Sequence, residues 1–255
     1  MVPIKTAAEI AIMRRAGVIA AEVAGGLRGA LRQGMTTGEL DRLAEKRIRA
    51  LGGVPGFKGL YGFPASVCVS VNEQVVHGVP GDRRIKAGDL VSVDIGVVYR
   101  DFCADTAFSV VAGEAQPETA RLLKETEAAL AAAIAACRAG AKLGDLGHTI
   151  QLRAEAAGFG VVREYGGHGI GRRMHEEPWI ANFGLAGTGL ELAPGMVLAL
   201  EPMLTAGSGD VTTVDENGWP VVVTADGSWA AHCEHTVAVT SDGPVVLTGQ
   251  GRNGR

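Results

Sequence analysis

The first residues in this chain whose types and spacing suggest chemistry are Asp94 and Asp105. In Val91-Ser-Val-Asp-Ile-Gly-Val-Val98, Val91, Val93, Ile95 and Val97 alternate with Ser92, Asp94 and Gly96, the period-two pattern of a half-buried strand whose polar face carries the carboxylate. A reversal at Tyr99-Arg100 predicts a hairpin in which Val98 faces Asp101 and Asp94 lies directly across from Asp105. Opposed carboxylates repel, so this register needs a cation or a shared proton between them, and a divalent metal is the commoner solution. Tyr99 and Arg100 are a poor pair for a two-residue turn, because neither takes a positive φ as readily as Asn-Gly or Asp-Gly. The alternative leaves Asp105 as a surface aspartate beside a turn.

The elements around this hairpin follow from capping residues and periodicity. Thr6-Ala-Ala-Glu9 reads as a capping box, and Ile10, Met13, Gly17, Ala20, Ala24, Leu27 and Leu31 recur at helical spacing as far as Gly34. Thr36-Thr-Gly-Glu39 caps a second helix, whose stripe of Leu40, Leu43, Arg47, Ile48 and Leu51 runs to Gly52-Gly53. Residues 54–65 read as a loop, Ser66–Val71 as an alternating strand with Cys68 on the face opposite Val67, Val69 and Val71, and Val76–Pro80 as a turn-rich passage. Pro117 at a first helical position, with Leu122, Leu123, Leu130, Ile134 and Cys137, predicts a third helix closed by Gly140. Leu146, Ile150, Ala154 and Ala157 predict a fourth, ended by Gly158.

This order of elements repeats. The interval from Gly34 to Gly140 is also that from Leu40 to Leu146 and from Gly52 to Gly158, and Gly88–Asp94 corresponds to Gly195–Glu201. Asp105-Thr-Ala-Phe-Ser-Val is similarly matched by Glu234-His-Thr-Val-Ala-Val. Each half therefore offers two acids to one groove: Asp94 and Asp105, then Glu201 and Glu234. Four buried acids need roughly four positive charges, which two divalent ions supply. Gly166-Gly-His-Gly-Ile-Gly171 presents His168 on a backbone with few side chains, open to close approach by something bulky, and a neutral imidazole is a natural fifth ligand.

Composition narrows the function classes. The chain has 255 residues, 47% hydrophobic, yet its longest apolar run, Ala128 to Cys137, is mostly alanine and too short to span a membrane. The N-terminal stretch lacks the pattern of a secretion signal, so the expected location is the cytoplasm. Cys68, Cys103, Cys137 and Cys233 form no C-x-x-C pair and are expected to be reduced thiols. A net charge of −4 without a Lys/Arg run argues against a dedicated nucleic-acid surface. A small molecule or peptide is the expected partner.

Val91-Ser-Val-Asp-Ile-Gly, Asp105-Thr, Gly166-Gly-His-Gly-Ile-Gly, His175-Glu-Glu-Pro, Leu200-Glu-Pro-Met and Glu234-His-Thr together resemble, in order and spacing, the type I methionine aminopeptidases of bacterial type, peptidase family M24. The resemblance runs from the first helix to Val239. It implies an α+β pita-bread fold, with two pseudo-symmetric halves, about 1–112 and 113–255, around a central antiparallel sheet with helices on the outer face, all within one catalytic domain of residues 1–255. It also implies a site holding two divalent metal ions (Co, Mn, Fe or Zn) and removal of the initiator methionine from nascent proteins when the second residue is small. The expected partners are N-terminal Met peptides and nascent chains, with the ribosome a further possibility, and the expected state is a monomer. The interval from His168 to Glu201 has no room for the large helical insertion of type II enzymes.

Carried over by position, the resemblance makes Asp94, Asp105, His168, Glu201 and Glu234 the metal ligands. His77 and His175 match the two active-site histidines that bind no metal, and Phe63, Cys68, Met174 and Trp219, with His77 and His175, match the substrate pocket, near Phe57, Leu60 and Tyr61. Phe63 stands where tyrosine is frequent, Phe57 where a small residue often lies, and Tyr99-Arg100 where some relatives have Asp-Gly. The catalytic set implied is His77, His175 and Glu201. Glu201 is the expected proton carrier and His175 the expected oxyanion donor. Two rivals share the fold: a proline-directed peptidase, which usually has a further N-terminal domain, and a metal-free binding module, which would have lost ligands.

Overall fold

The computed structural model describes residues 2–249. Four helices form where capping and periodicity place them: α1, Ala7–Ala30; α2, Thr37–Ala50; α3, Pro117–Ala136; and α4, Leu143–Ala156. Both capping boxes are made: Glu9 accepts the Thr6 N–H at 3.0 Å and Glu39 the Thr36 N–H at 2.7 Å, satisfying amides that the first turn leaves open. α1 stops at Ala30, ahead of Gly34, because Leu31 is already extended.

The strands divide into two larger and two smaller antiparallel sheets rather than one continuous sheet. In the first, Leu90–Tyr99 is central, flanked on one side by Phe102–Val111 and on the other by Cys68–Val71 and Val54–Pro55. In the second, the order is Gly243–Val246, His235–Thr240, Val197–Leu200, Gly167–Gly169, Glu176–Ile180. The smaller sheets are Ala230–His232 with Met203–Thr205 and Gly160–Val161, and Val211–Glu216 with Trp219–Thr224 and Gln74–Val76.

α1 and α2 cover the first sheet, where Ile19, Val23, Leu27, Leu40 and Ile48 pack on Val69, Val91, Val93 and Ile95. α3 and α4 cover the second, where Leu122, Leu130, Leu146 and Ile150 pack on Leu198, Leu200 and Val237. Each fully buried aliphatic side chain contributes about 1.5–3 kcal/mol. Corresponding positions behave alike: α2 and α4 both have 14 residues, Gly34 and Gly140 both have a φ near 87° (88° and 86°), and the bridge Thr36–Arg84 has its counterpart in Lys142–Glu191.

The two larger sheets meet at one short seam. Glu234 donates its N–H to the Ala107 carbonyl at 2.9 Å and accepts the Ala107 N–H at 3.3 Å. Beside it, the Thr236 hydroxyl donates to the Asp105 carbonyl at 2.8 Å, and the Asp105 N–H donates to that hydroxyl at 2.9 Å. The seam brings the acids of the two halves together.

Candidate metal centre

The hairpin carrying Asp94 and Asp105 turns at Arg100-Asp101, not at Tyr99-Arg100, so Tyr99 pairs with Phe102, Asp94 with Ala107, and Asp105 with Gly96. The expected direct opposition is therefore corrected to a diagonal one. Because the register moves by two, both carboxylates keep the same face. Arg100 and Asp101 have φ of 47° and 63°, the left-handed pair a two-residue hairpin needs. Gly96 has a packing reason: a Cβ there would run into the Phe57 ring and the Met174 methyl.

His168, on Gly167–Gly169, pairs with Ala199 and Trp179. The glycines around it do not open space for a ligand. Side chains at Gly166, Gly167 and Gly169 would strike the carbonyls of Ile180, Ala199 and Glu177, so the close approach is to the chain's own neighbouring strands. The His168 Nδ1 is 2.9 Å from the Gly169 carbonyl, which places the proton on Nδ1 and leaves the Nε2 lone pair free. Nε2 lies 3.6 Å from Glu201 Oε1 and 4.0 Å from Asp105 Oδ2. Glu201 follows the Val197–Leu200 strand, and its carbonyl accepts from the Asn182 amide at 3.1 Å. Asp105, His168 and Glu234 each offer a ligand atom within 4.8 Å of the others, and Asp94 and Glu201 complete the acidic wall.

Among the described residues no lysine or arginine pairs with any of these four carboxylates, and Asp94 Oδ1 and Glu234 Oε1 are buried without a partner. Burial, then the neighbouring acids, pushes Asp94 and Glu234 well above the usual carboxylate range, and burial with the charge of Asp105 does the same to Glu201. Burial pushes Asp105 up to about 7, against hydrogen bonds from Asp94 and the Thr106 N–H that lower it. Buried, convergent, unneutralised oxygen donors beside a neutral imidazole fit a divalent cation.

The acids line a cavity of about 550 Å³, shared with Phe63, Cys68, His77, His175 and Trp219. Met174 does not line it; it is buried behind the wall, against Phe57 and Gly96. Phe63 and Trp219 meet edge to face at 5.0 Å, and the Trp219 indole N–H is buried without a partner. His77, in a left-handed conformation (φ 65°), meets the Tyr165 ring at 5.7 Å. His175 stands 4.5 Å from His168, edge to face, and stacks on exposed Tyr61 at 5.8 Å. Burial holds His77 and His168 down to about 4, and lowers His175 as well.

Sequence reasoning missed Tyr165 and Trp179, which also line the cavity, and His232 behind it. For His232 a signal existed: it lies two residues before Glu234, on the same side of an extended stretch.

Residues 11–241 match metallopeptidase family M24. The chain is 48% identical to the methionine aminopeptidase of Clostridium perfringens, over 97% of this chain and 99% of that one. Its structure is similar to the crystal structure of the methionine aminopeptidase from Thermotoga maritima, with a TM-score of 0.95, 42% identity, and coverage of 98% and 100%. The prolidase of Pyrococcus furiosus shares the fold at a TM-score of 0.78 and 24% identity, with 98% of this chain matching 66% of that one.

Proposed function

The chain belongs to metallopeptidase family M24 and, within it, to the methionine aminopeptidases, and from that premise we propose that its cavity hydrolyses the bond after an N-terminal methionine, with Asp94, Asp105, His168, Glu201 and Glu234 holding two divalent cations. One observation carries the reading: among the described residues four carboxylates without a lysine or arginine partner, Asp105 and Glu234 buried and Asp94 and Glu201 largely so, converge on an imidazole whose free nitrogen points at them. Oxygen donors with one nitrogen suit Mn, Fe, Co or Zn. When bound, such cations would supply Lewis acidity and lower the pKa of a water held in the cavity.

The rest of the chemistry belongs to side chains. Glu201, at the cavity wall, takes the proton of the attacking water and passes it to the leaving amine. His175 donates a hydrogen bond to the scissile carbonyl oxygen as charge develops there. His77, which also lines the cavity, positions the peptide backbone. Phe63, Trp219 and Cys68 receive the methionine side chain, with Met174 supporting them from behind. Burial and the charge of Asp94 raise the Cys68 thiol well above its ordinary value, so it acts as an apolar wall.

The reading extends to one catalytic unit of two pseudo-equivalent halves that works as a cytoplasmic monomer on nascent chains, at the ribosome or after release. Among the described residues, no helix is long and apolar enough to cross a membrane.

The test compares Met-Ala-Ser, Met-Leu-Ser and Ala-Pro-Ser peptides, after chelation and again after adding back metal. Metal-dependent release of methionine is expected, with kcat/KM at least about tenfold lower for Met-Leu-Ser, since excluding added methylenes is worth about 10–200-fold. Cleavage of Ala-Pro-Ser alone would transfer the reading to a proline-directed peptidase.

A further inference from the structure

His232 is the one buried histidine near the acids that the proposed chemistry leaves without a role. It ends the Ala230–His232 strand, is 1% exposed, and lies outside the cavity wall. A single hydroxyl clamps its backbone on both sides: Ser109 Oγ donates to the His232 carbonyl at 2.8 Å and accepts the His232 N–H at 3.0 Å, while bonded to Ser92 Oγ at 2.7 Å. Held there, the ring presents Nε2 to two carboxylates, 3.6 Å from Glu201 Oε2 and 4.0 Å from Glu234 Oε2, and Nε2 has no hydrogen-bond partner. Both distances are too long for a hydrogen bond and short enough to close by a small movement of the glutamate.

The two histidines beside Glu201 are arranged differently. His168 gives its Nδ1 proton to the Gly169 carbonyl, so its Nε2 faces Glu201 Oε1 with a lone pair. With cations bound, Glu201 and Glu234 are ionised and their oxygens only accept, so in that state the proton of the His232 ring belongs on Nε2. One glutamate thus stands between a ligand-type imidazole at one oxygen and a donor-type imidazole at the other.

We propose that His232 is a positioning residue: its Nε2–H closes onto Glu201 Oε2 when the cations are bound, and fixes the carboxylate so that Oε1 stays on the cation side. This inference rests on the metal reading above. It assigns His232 no contact with substrate and no place among the ligands, which agrees with its position behind the wall. Groups of this kind orient a ligand, and their loss typically weakens metal binding about 10–100-fold.

The experiment titrates metal-free protein with Zn²⁺ by calorimetry, for the wild type, His232→Ala and His232→Gln, each checked for folding by circular dichroism. The wild type is expected to take up two equivalents. His232→Ala should keep two equivalents and bind the tighter one about 10–100-fold more weakly, and His232→Gln, whose amide N–H can take the place of Nε2–H, should recover to within about threefold. Independently of any variant, ¹⁵N spectra of the zinc-loaded wild type should show His232 protonated at Nε2 and His168 at Nδ1. Loss of one equivalent in folded His232→Ala, or an unprotonated Nε2 at His232, would make the residue a ligand and overturn the proposal. Unchanged affinity in His232→Ala would reduce it to packing and overturn it too. A wild type that takes up no metal would overturn the metal reading itself, and this inference with it.

Discussion

At the residue scale, the division of labour among the histidines is what experiment can separate. His175 lines the cavity beside His168 without joining the cluster of close ligand atoms. A donor that strengthens its contact only as the carbonyl oxygen becomes negative acts on turnover more than on binding. His175→Ala is expected to lower kcat about 10²–10³-fold with little change in KM and an unchanged metal content, measured on Met-Ala-Ser with parallel metal analysis. A variant that lost metal would be a ligand variant. The acids were legible in the sequence because Asp94 lies within an apolar strand and Glu201 directly after one, at positions the repeat duplicates. His232 is easily passed over despite its place two residues before Glu234, because a histidine beside a cysteine at the end of a short strand is ordinary core until its neighbours in space are known. For Met174, position along the chain suggests a place in the pocket, and its packing behind Gly96 against Phe57 sets what it touches.

At the scale of elements, helices were read closely because their start signals are local, as Thr6–Glu9 and Thr36–Glu39 show. The hairpin register was not, because its turn breaks the local rule. Arg100 takes a left-handed φ that its side chain does not favour, and Asp101, which tolerates one, stands where glycine is usual, so the pairing is imposed by the two long strands on either side. Replacing them by Asn-Gly should remove that cost. Arg100→Asn combined with Asp101→Gly is expected to raise stability by about 1 kcal/mol, read from the urea midpoint, with kinetics unchanged. A loss of stability would mean that Arg100 and Asp101 make contributions larger than their strain. The Gly166–Gly171 run is a second case: the sequence suggests room for a ligand, whereas three carbonyls of the two adjacent strands take up the room beside Gly166, Gly167 and Gly169.

For the whole molecule, the acids set how stability depends on pH once metal is removed. Asp94, Glu201 and Glu234 are raised well above their unfolded values and Asp105 to about 7. An acid raised on folding binds its proton more tightly in the folded state. The stability it contributes is present below its unfolded value near 4 and is lost as the pH rises through the folded value. Metal-free protein should therefore melt progressively lower between about pH 4 and pH 8, and divalent metal should remove most of that slope, as scanning calorimetry at several pH values would record. Equal slopes with and without metal would show that the four acids do not titrate as one buried group.

The seam between the larger sheets also bears on how the molecule comes into being. Asp105 and Glu234 are neighbours because Ala107 exchanges backbone hydrogen bonds with Glu234 and Asp105 with the Thr236 hydroxyl, across a separation of most of the second half of the chain. Contacts of such long sequence separation form late, since the loop they close must be ordered first. While the polypeptide is being synthesised, Asp94 and Asp105 can pair as a hairpin long before Glu234 exists to face them. The young chain holds a half-built acidic surface, and its competence to process another protein's first residue begins only when nearly all of its own sequence has been translated and docked.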